Sequence, residues 1–146
     1  MAAAASHLDS ALRLPASLES LAVARSALQQ CLLAGGWDRS AAEPVVLATS
    51  EAMANAILHG SRPGDHVRLC LTVTRDRARV EVVDQGRPGA VCPTSAPEPP
   101  PPSSPHGRGL VIMWSLANVC RVRAAGEGTG VLLEFRRPAR APAGAG

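Results

Sequence analysis

With 146 residues, 46% of them apolar and 18% charged, the chain has the length of about one soluble domain with one real core, which excludes wholesale disorder. The net charge is only +3, every basic side chain is arginine, and Trp37, Trp114 and Phe135 are the only aromatics, which argues against direct nucleic-acid binding by stacking or by a phosphate footprint. No run approaches 18 continuous apolar residues and the start carries no basic flank, so the expectation is a soluble, cytoplasmic protein without membrane association.

Leu12-Arg13-Leu14-Pro15 alternates briefly and reads as a short edge strand ended by Pro15. Ser17 has the chemistry of a helix N-cap. Behind it Leu18, Leu21, Ala22, Arg25, Leu28 and Leu32 keep helical spacing up to the stop at Gly35-Gly36. A second helix runs to His59-Gly60, and its regular part is expected to begin near Pro44, because proline deep in a helix loses a hydrogen bond. After the turn cluster Ser61-Arg62-Pro63-Gly64-Asp65, the alternation of Val67, Leu69, Leu71 and Val73 predicts a half-buried strand. Arg75-Asp76-Arg77 returns the chain into a second strand, on which Ala78, Val80, Val82 and Asp84 share one face.

Residues 86–106 are poor in apolar side chains and form a proline-rich connection, with eight prolines between Pro88 and Pro105. Structure resumes at Gly107-Arg108-Gly109, from which Leu110, Met113, Trp114 and Ala117 trace a short helix. Cys120, Val122 and Ala124 alternate with Arg121 and Arg123, and a glycine-rich turn leads to Val131, Leu133 and Phe135, giving two closing antiparallel strands. The order of elements is strand, helix, helix, two strands, loop, helix, two strands. It predicts an α+β, two-layer α/β sandwich with a mixed, mostly antiparallel sheet covered on one face by helices. The folded domain is expected over residues 10–137, with a flexible tail over 138–146.

Three groups of residues carry chemistry. Glu51 and Asn55 are four apart and so share a helix face, opposite Val45, Val46, Ala52, Met53, Ala56 and Ile57. Leu47 and Leu58 flank Glu51 within about 40° by helical geometry. A carboxylate and an amide between leucines fit a pocket wall as well as a solvated stripe. Asp84 points the same way as Val80 and Val82, where an ionised carboxylate is costly unless something donates to it. A ligand amino group would serve, with Gly86 and Gly89 leaving room for it to approach the backbone; an acid that closes a strand into a turn is the other reading. Gly107-Arg108-Gly109 opens a helix, where free N–H groups, the helix dipole and a forked guanidinium suit an anion, though simple capping fits the same residues. Together the three describe a nucleotide pocket. Cys31, Cys70, Cys92 and Cys120 lack metal-ligand spacing and read as reduced core thiols.

The stretches Leu47 to Gly60, Val82-Val83-Asp84-Gln85-Gly86 and Gly107-Arg108-Gly109-Leu110 resemble, in order and separation, the N, G1 and G2 boxes of the GHKL (Bergerat-fold) ATPases. Within that superfamily the chain is most similar to the anti-sigma-factor serine kinases, from about Leu12 to Phe135, including Gly128-Thr129. The resemblance implies ATP and Mg²⁺ as cofactors. Asn55 would hold the Mg²⁺ that bridges the phosphates, and Glu51 would be the catalytic base toward an acceptor hydroxyl. Asp84 would accept from the adenine amino group with Thr129 in support, and Gly86, Gly89, Gly107, Arg108, Gly109 and Leu110 would line the nucleotide. Residues 88–106 would form the ATP lid. Also implied are a STAS-domain anti-anti-sigma protein as substrate, a sigma factor as a further partner, and a homodimer. One position departs from the family: Pro88 stands where the first glycine box carries its second glycine, and Gly89 follows it. That departure keeps a second reading open, a non-catalytic nucleotide-binding switch that sequesters a partner.

Overall fold

The computed structural model describes residues 7–86 and 108–139. They form β1 (Leu8–Pro15), α1 (Glu19–Ala34), α2 (Arg39–Leu58), β2 (His66–Val73), β3 (Arg77–Val83), α3 (Arg108–Leu116), β4 (Val119–Ala125) and β5 (Gly128–Arg136), the element order expected from the sequence. One antiparallel five-stranded sheet has the order β1-β2-β3-β5-β4, with β1 and β4 at its edges. The three helices cover one face, giving the predicted two-layer sandwich. The proposed lid over 88–106, with Gly89, Cys92 and Gly107, lies outside the described residues, as does most of the proposed tail.

The core sits between the layers and follows strand parity. Val67, Leu69, Leu71 and Val73 of β2, Ala78, Val80 and Val82 of β3, and Val131, Leu133 and Phe135 of β5 are all buried against Leu28, Leu32, Val45, Met53 and Met113 of the helices. Each of these side chains larger than alanine contributes about 1.5–3 kcal/mol relative to exposure. Trp37, 2% exposed, fills the corner between α1 and α2, and its indole N–H donates to the Thr74 carbonyl at 2.9 Å, pinning the helical layer to the β2–β3 turn. Among the described residues, two buried polar atoms have no hydrogen-bond partner, Thr49 Oγ1 on α2 and Trp114 Nε1 on α3. Cys120 is a core thiol, pushed up to about 11 by burial, and Cys31 packs against the core; Cys70 is only partly buried and lies on the opposite face of the sheet.

Three local expectations need correction. β1 is eight residues long, because it pairs along the whole of β2 from Leu8↔Val73 to Pro15↔His66. Ser17 does not cap α1. Leu18 holds that position without a side-chain bond, and the turn is stitched from inside the helix, where Ser20 Oγ donates to the Pro15 carbonyl at 2.6 Å. α2 begins five residues before Pro44, since Asp38 accepts from the Ala41 N–H at 2.7 Å and stabilises the first turn. The bond that Pro44 forfeits is then a single one in an otherwise capped helix.

Candidate functional site

α2 runs from its Asp38 cap to a C-terminus at which His59 N–H and Gly60 N–H both donate to the Asn55 carbonyl, at 2.9 and 3.2 Å. Glu51 and Asn55 lie one turn apart on it and are half-buried, while Leu47 and Leu58 on either side are 46% and 50% exposed. The opposite side holds Val45, Ala52, Met53, Ala56 and Ile57 in the core, so the helix face divides as its sequence predicts.

The first turn of α3 lies directly over this polar strip. A Cβ placed on Gly109 would stand 2.8 Å from Glu51 Oε2 and 3.7 Å from both Asn55 Oδ1 and Nδ2. Glycine here leaves the Glu51 carboxylate its place against the N-terminus of α3, where the first N–H groups have no partner within the helix itself. Arg108 opens the helix, and Leu110 turns inward to pack against the core.

Asp84 occupies the other end of the strip. It follows β3 directly, is 7% exposed, and lies opposite Thr129 of β5, the neighbouring strand. The two are tied in both directions: Thr129 N–H donates to Asp84 Oδ1 at 2.9 Å, and Asp84 N–H donates to the Thr129 carbonyl at 3.0 Å. Burial pushes the Asp84 carboxyl above its usual value, the Thr129 and Gly86 N–H groups pull it down, and the nearby Asp65 carboxylate raises it further. The balance leaves a carboxyl short of donors, suited to accept from a ligand amino group.

Three glycines shape the space around Asp84. A side chain on Gly60 would run into its carboxyl group, and one on Gly128 would strike its carbonyl. Gly86, at φ +97°, donates to the Gly60 carbonyl at 2.9 Å and faces the Glu127 carbonyl so closely that no Cβ fits. Gln85 Oε1 accepts from His66 N–H at 2.6 Å, which ties the end of β3 to the start of β2. Buried Ser61 donates to the Ala56 carbonyl at 2.7 Å and fixes the helix end beside Gly60.

The structure thus brings Glu51, Asn55 and Gly109 into one cluster and Asp84, Gly86 and Thr129 into another, joined by the last two turns of α2. From Glu51 to Gly60 the helix rises about 13 Å at ~1.5 Å per residue. Gly60, Gln85 and Gly128, which lie in the stretches that carry the family resemblance but receive no role from it, and Ser61, which lies outside them, shape the site. Gly60 reads as a helix stop and Gly128 as a turn residue, and their closeness to Asp84 exists only once α2 and β5 are placed. No cluster of three or more His, Cys, Asp or Glu able to hold a metal ion occurs among the described residues. A cation here would depend on Asn55 and on oxygens of the ligand, which suits Mg²⁺, an ion that keeps water and phosphate ligands.

No helix among the described residues is long and apolar enough to cross a membrane. Comparison with curated proteins gives no match. Among solved structures, the chain superposes on a crystal structure of the RsbU and RsbW domains of Rv1364c from Mycobacterium tuberculosis. The TM-score is 0.67 at 22% identity, over 91% of this chain and 33% of that one, so the chain spans about a third of that chain's length and the likeness is one of fold. The sequence model of the histidine kinase-like ATPase domain matches residues 14–135, a span that contains every element from the end of β1 to β5 and both clusters of the site. The chain belongs to the histidine kinase-like ATPase domain family.

Proposed function

We propose that the chain is an ATP-dependent protein serine/threonine kinase of the anti-sigma-factor type, acting on a STAS-domain anti-anti-sigma protein and holding a sigma factor as a further partner. The observation that carries this reading is the approach of Gly109 to Glu51 and Asn55, which sets a helix N-terminus against a carboxylate and an amide. Asp84, supported by Thr129 and with Gly60 and Gly128 at its back, would accept from the adenine amino group. The N–H groups at the start of α3, with Arg108 and the neighbouring Gly107, would receive the phosphates. Asn55 would hold Mg²⁺, which supplies charge neutralisation on the phosphate oxygens when bound.

In the transfer step the acceptor serine oxygen bonds to the γ-phosphorus as the bond to the departing ADP oxygen breaks, and Glu51 takes the serine proton. The family membership and the likeness to a structure containing an RsbW domain support this partner class. Residues 88–106, with Gly89, are proposed as the lid, residues 10–137 as the folded unit, and a homodimer as the working state in a cytoplasmic setting.

Incubation with Mg-ATP and the cognate STAS protein should transfer phosphate to that protein. Glu51→Gln should abolish transfer and leave ATP binding in place. Undiminished transfer by this variant removes Glu51 as the base. Partner binding with no transfer by the wild type favours the non-catalytic switch instead, a reading kept alive by Pro88 in the first glycine box.

A further inference from the structure

The face of the sheet turned away from the helices is occupied by arginine. By strand register, the side chains on this face form rows: Arg13, Arg68, Val83, Gly130 and Arg123 in one, Ala11, Cys70, Glu81, Leu132 and Arg121 in the next, then Asp9, Thr72, Arg79, Glu134 and Val119, and finally Arg77 beside Arg136. Seven of the fifteen basic residues of the chain are therefore on one surface, against three acids.

Two of the acids are spent at the centre. Glu134 faces Arg79 at 3.9 Å, and Arg123 reaches Glu81 at 3.2 Å, its side chain passing alongside Gly130. The arginines at the margins are arranged differently. Arg13 is directly opposite Arg68, and Arg77 directly opposite Arg136; all four are exposed and none forms an ion pair among the described residues. Like charges directly opposite on adjacent strands destabilise a sheet, so folding alone gives no reason for two such pairs. A forked guanidinium pair matches a carboxylate group well.

We propose that this open sheet face docks an acidic surface of a partner protein, whose carboxylates bridge the Arg13–Arg68 and Arg77–Arg136 pairs about 20 Å apart, taking ~3.3 Å per residue along the strands. Arginine at the margins of a neutral centre containing Leu132, Cys70 and Thr72 is the composition of a protein interface. A phosphate backbone fits less well, since Glu81 and Glu134 stand where it would run and no aromatic on the face could stack a base. A second copy of the face is disfavoured by its own charge. The surface is remote from Glu51, Asn55 and Asp84, which lie on the helical side, so the proposal does not depend on the kinase reading.

The test uses the full chain, labelled poly-L-glutamate as the probe, and a DNA duplex of comparable charge as the competing class. The expected result is salt-dependent binding of polyglutamate that exceeds binding of the duplex. Arg13→Thr/Arg68→Thr and Arg77→Thr/Arg136→Thr should each weaken it at least tenfold, with thermal midpoints at or above wild type and unchanged ATP binding. Arg39→Thr/Arg62→Thr, on exposed positions of the helical side, should bind as wild type. Polyglutamate binding that is absent, equal in the sheet variants, or weaker than duplex binding overturns the proposal.

Discussion

Gly60 has no room for a side chain because the carboxyl group of Asp84 occupies the space that a Cβ would take. The end of α2 and the end of β3 are thus fitted to each other through an acid and a missing methyl group, and the acid is left nearly buried with one oxygen held by Thr129. An arrangement of this kind is costly in the free protein, and the cost can be measured.

The Asp84 carboxyl titrates above its usual value of 3.8 in the folded chain, so the folded state binds its proton more tightly than the unfolded state does. Its contribution to stability is fully present below about pH 3.8 and is lost as pH rises through the folded value. Asp84→Asn removes that loss. The nucleotide-free variant should melt above wild type near neutral pH, with the gap closing as pH falls toward 4, roughly the ordinary carboxylate range. In titration calorimetry the same variant should fail to bind ATP. A melting difference that is independent of pH would show that the Asp84 charge carries no penalty.

Gly128→Ala tests the backbone packing behind Asp84. The added methyl would strike the Asp84 carbonyl, which cannot swing aside as a side chain can. Denaturant unfolding should show a loss of about 1–3 kcal/mol, the usual range for overpacking. Gly109→Ala should be milder in stability, because its new neighbour is the flexible end of Glu51, and more severe in ATP affinity, because the methyl displaces the Glu51 carboxylate from its place against the first turn of α3.

Pro44→Ala should raise stability by up to about 1 kcal/mol, through the helical bond regained inside α2, offset in part by a freer unfolded chain. Nucleotide binding should not change, since Pro44 lies about two turns from Glu51. A fall in the unfolding midpoint would mean that the proline is favoured by the packing of this turn.

Trp37→Ala should cost roughly 3–5 kcal/mol, the range for emptying a buried aromatic site. Trp37→Phe should recover most of the packing and leave the Thr74 carbonyl without its indole donor. Chemical denaturation of both variants separates volume from hydrogen bonding.

The strand and helix order was legible because alternation in β2, β3 and β5 and the spacing in α1 and α2 are both strong signals. The polar strip of Glu51 and Asn55 and the inward aim of Asp84 were legible for the same reason: each follows from periodicity on one element. Boundaries set by longer-range partners were not. β1 is as long as its pairing with β2 allows, and α2 starts at Asp38 because a side-chain cap outweighs the proline that follows. Gly60 and Gly128 show the same limit, since a glycine's purpose depends on what stands where its side chain would be, and that neighbour comes from another part of the chain. The arginines on the open face looked scattered along the sequence; only strand register places Arg13 opposite Arg68 and Arg77 opposite Arg136.

The chain has two tryptophans and no tyrosine. Trp37 is sealed in the core with its N–H engaged, whereas Trp114 sits half-buried on α3, five residues beyond Gly109, with its N–H unpaired among the described residues. Intrinsic fluorescence is thus divided between a static reference and a sensor on the helix whose first turn meets Glu51. With Trp37→Phe as background, emission from Trp114 alone would follow α3 in real time as ligand arrives, without any attached dye.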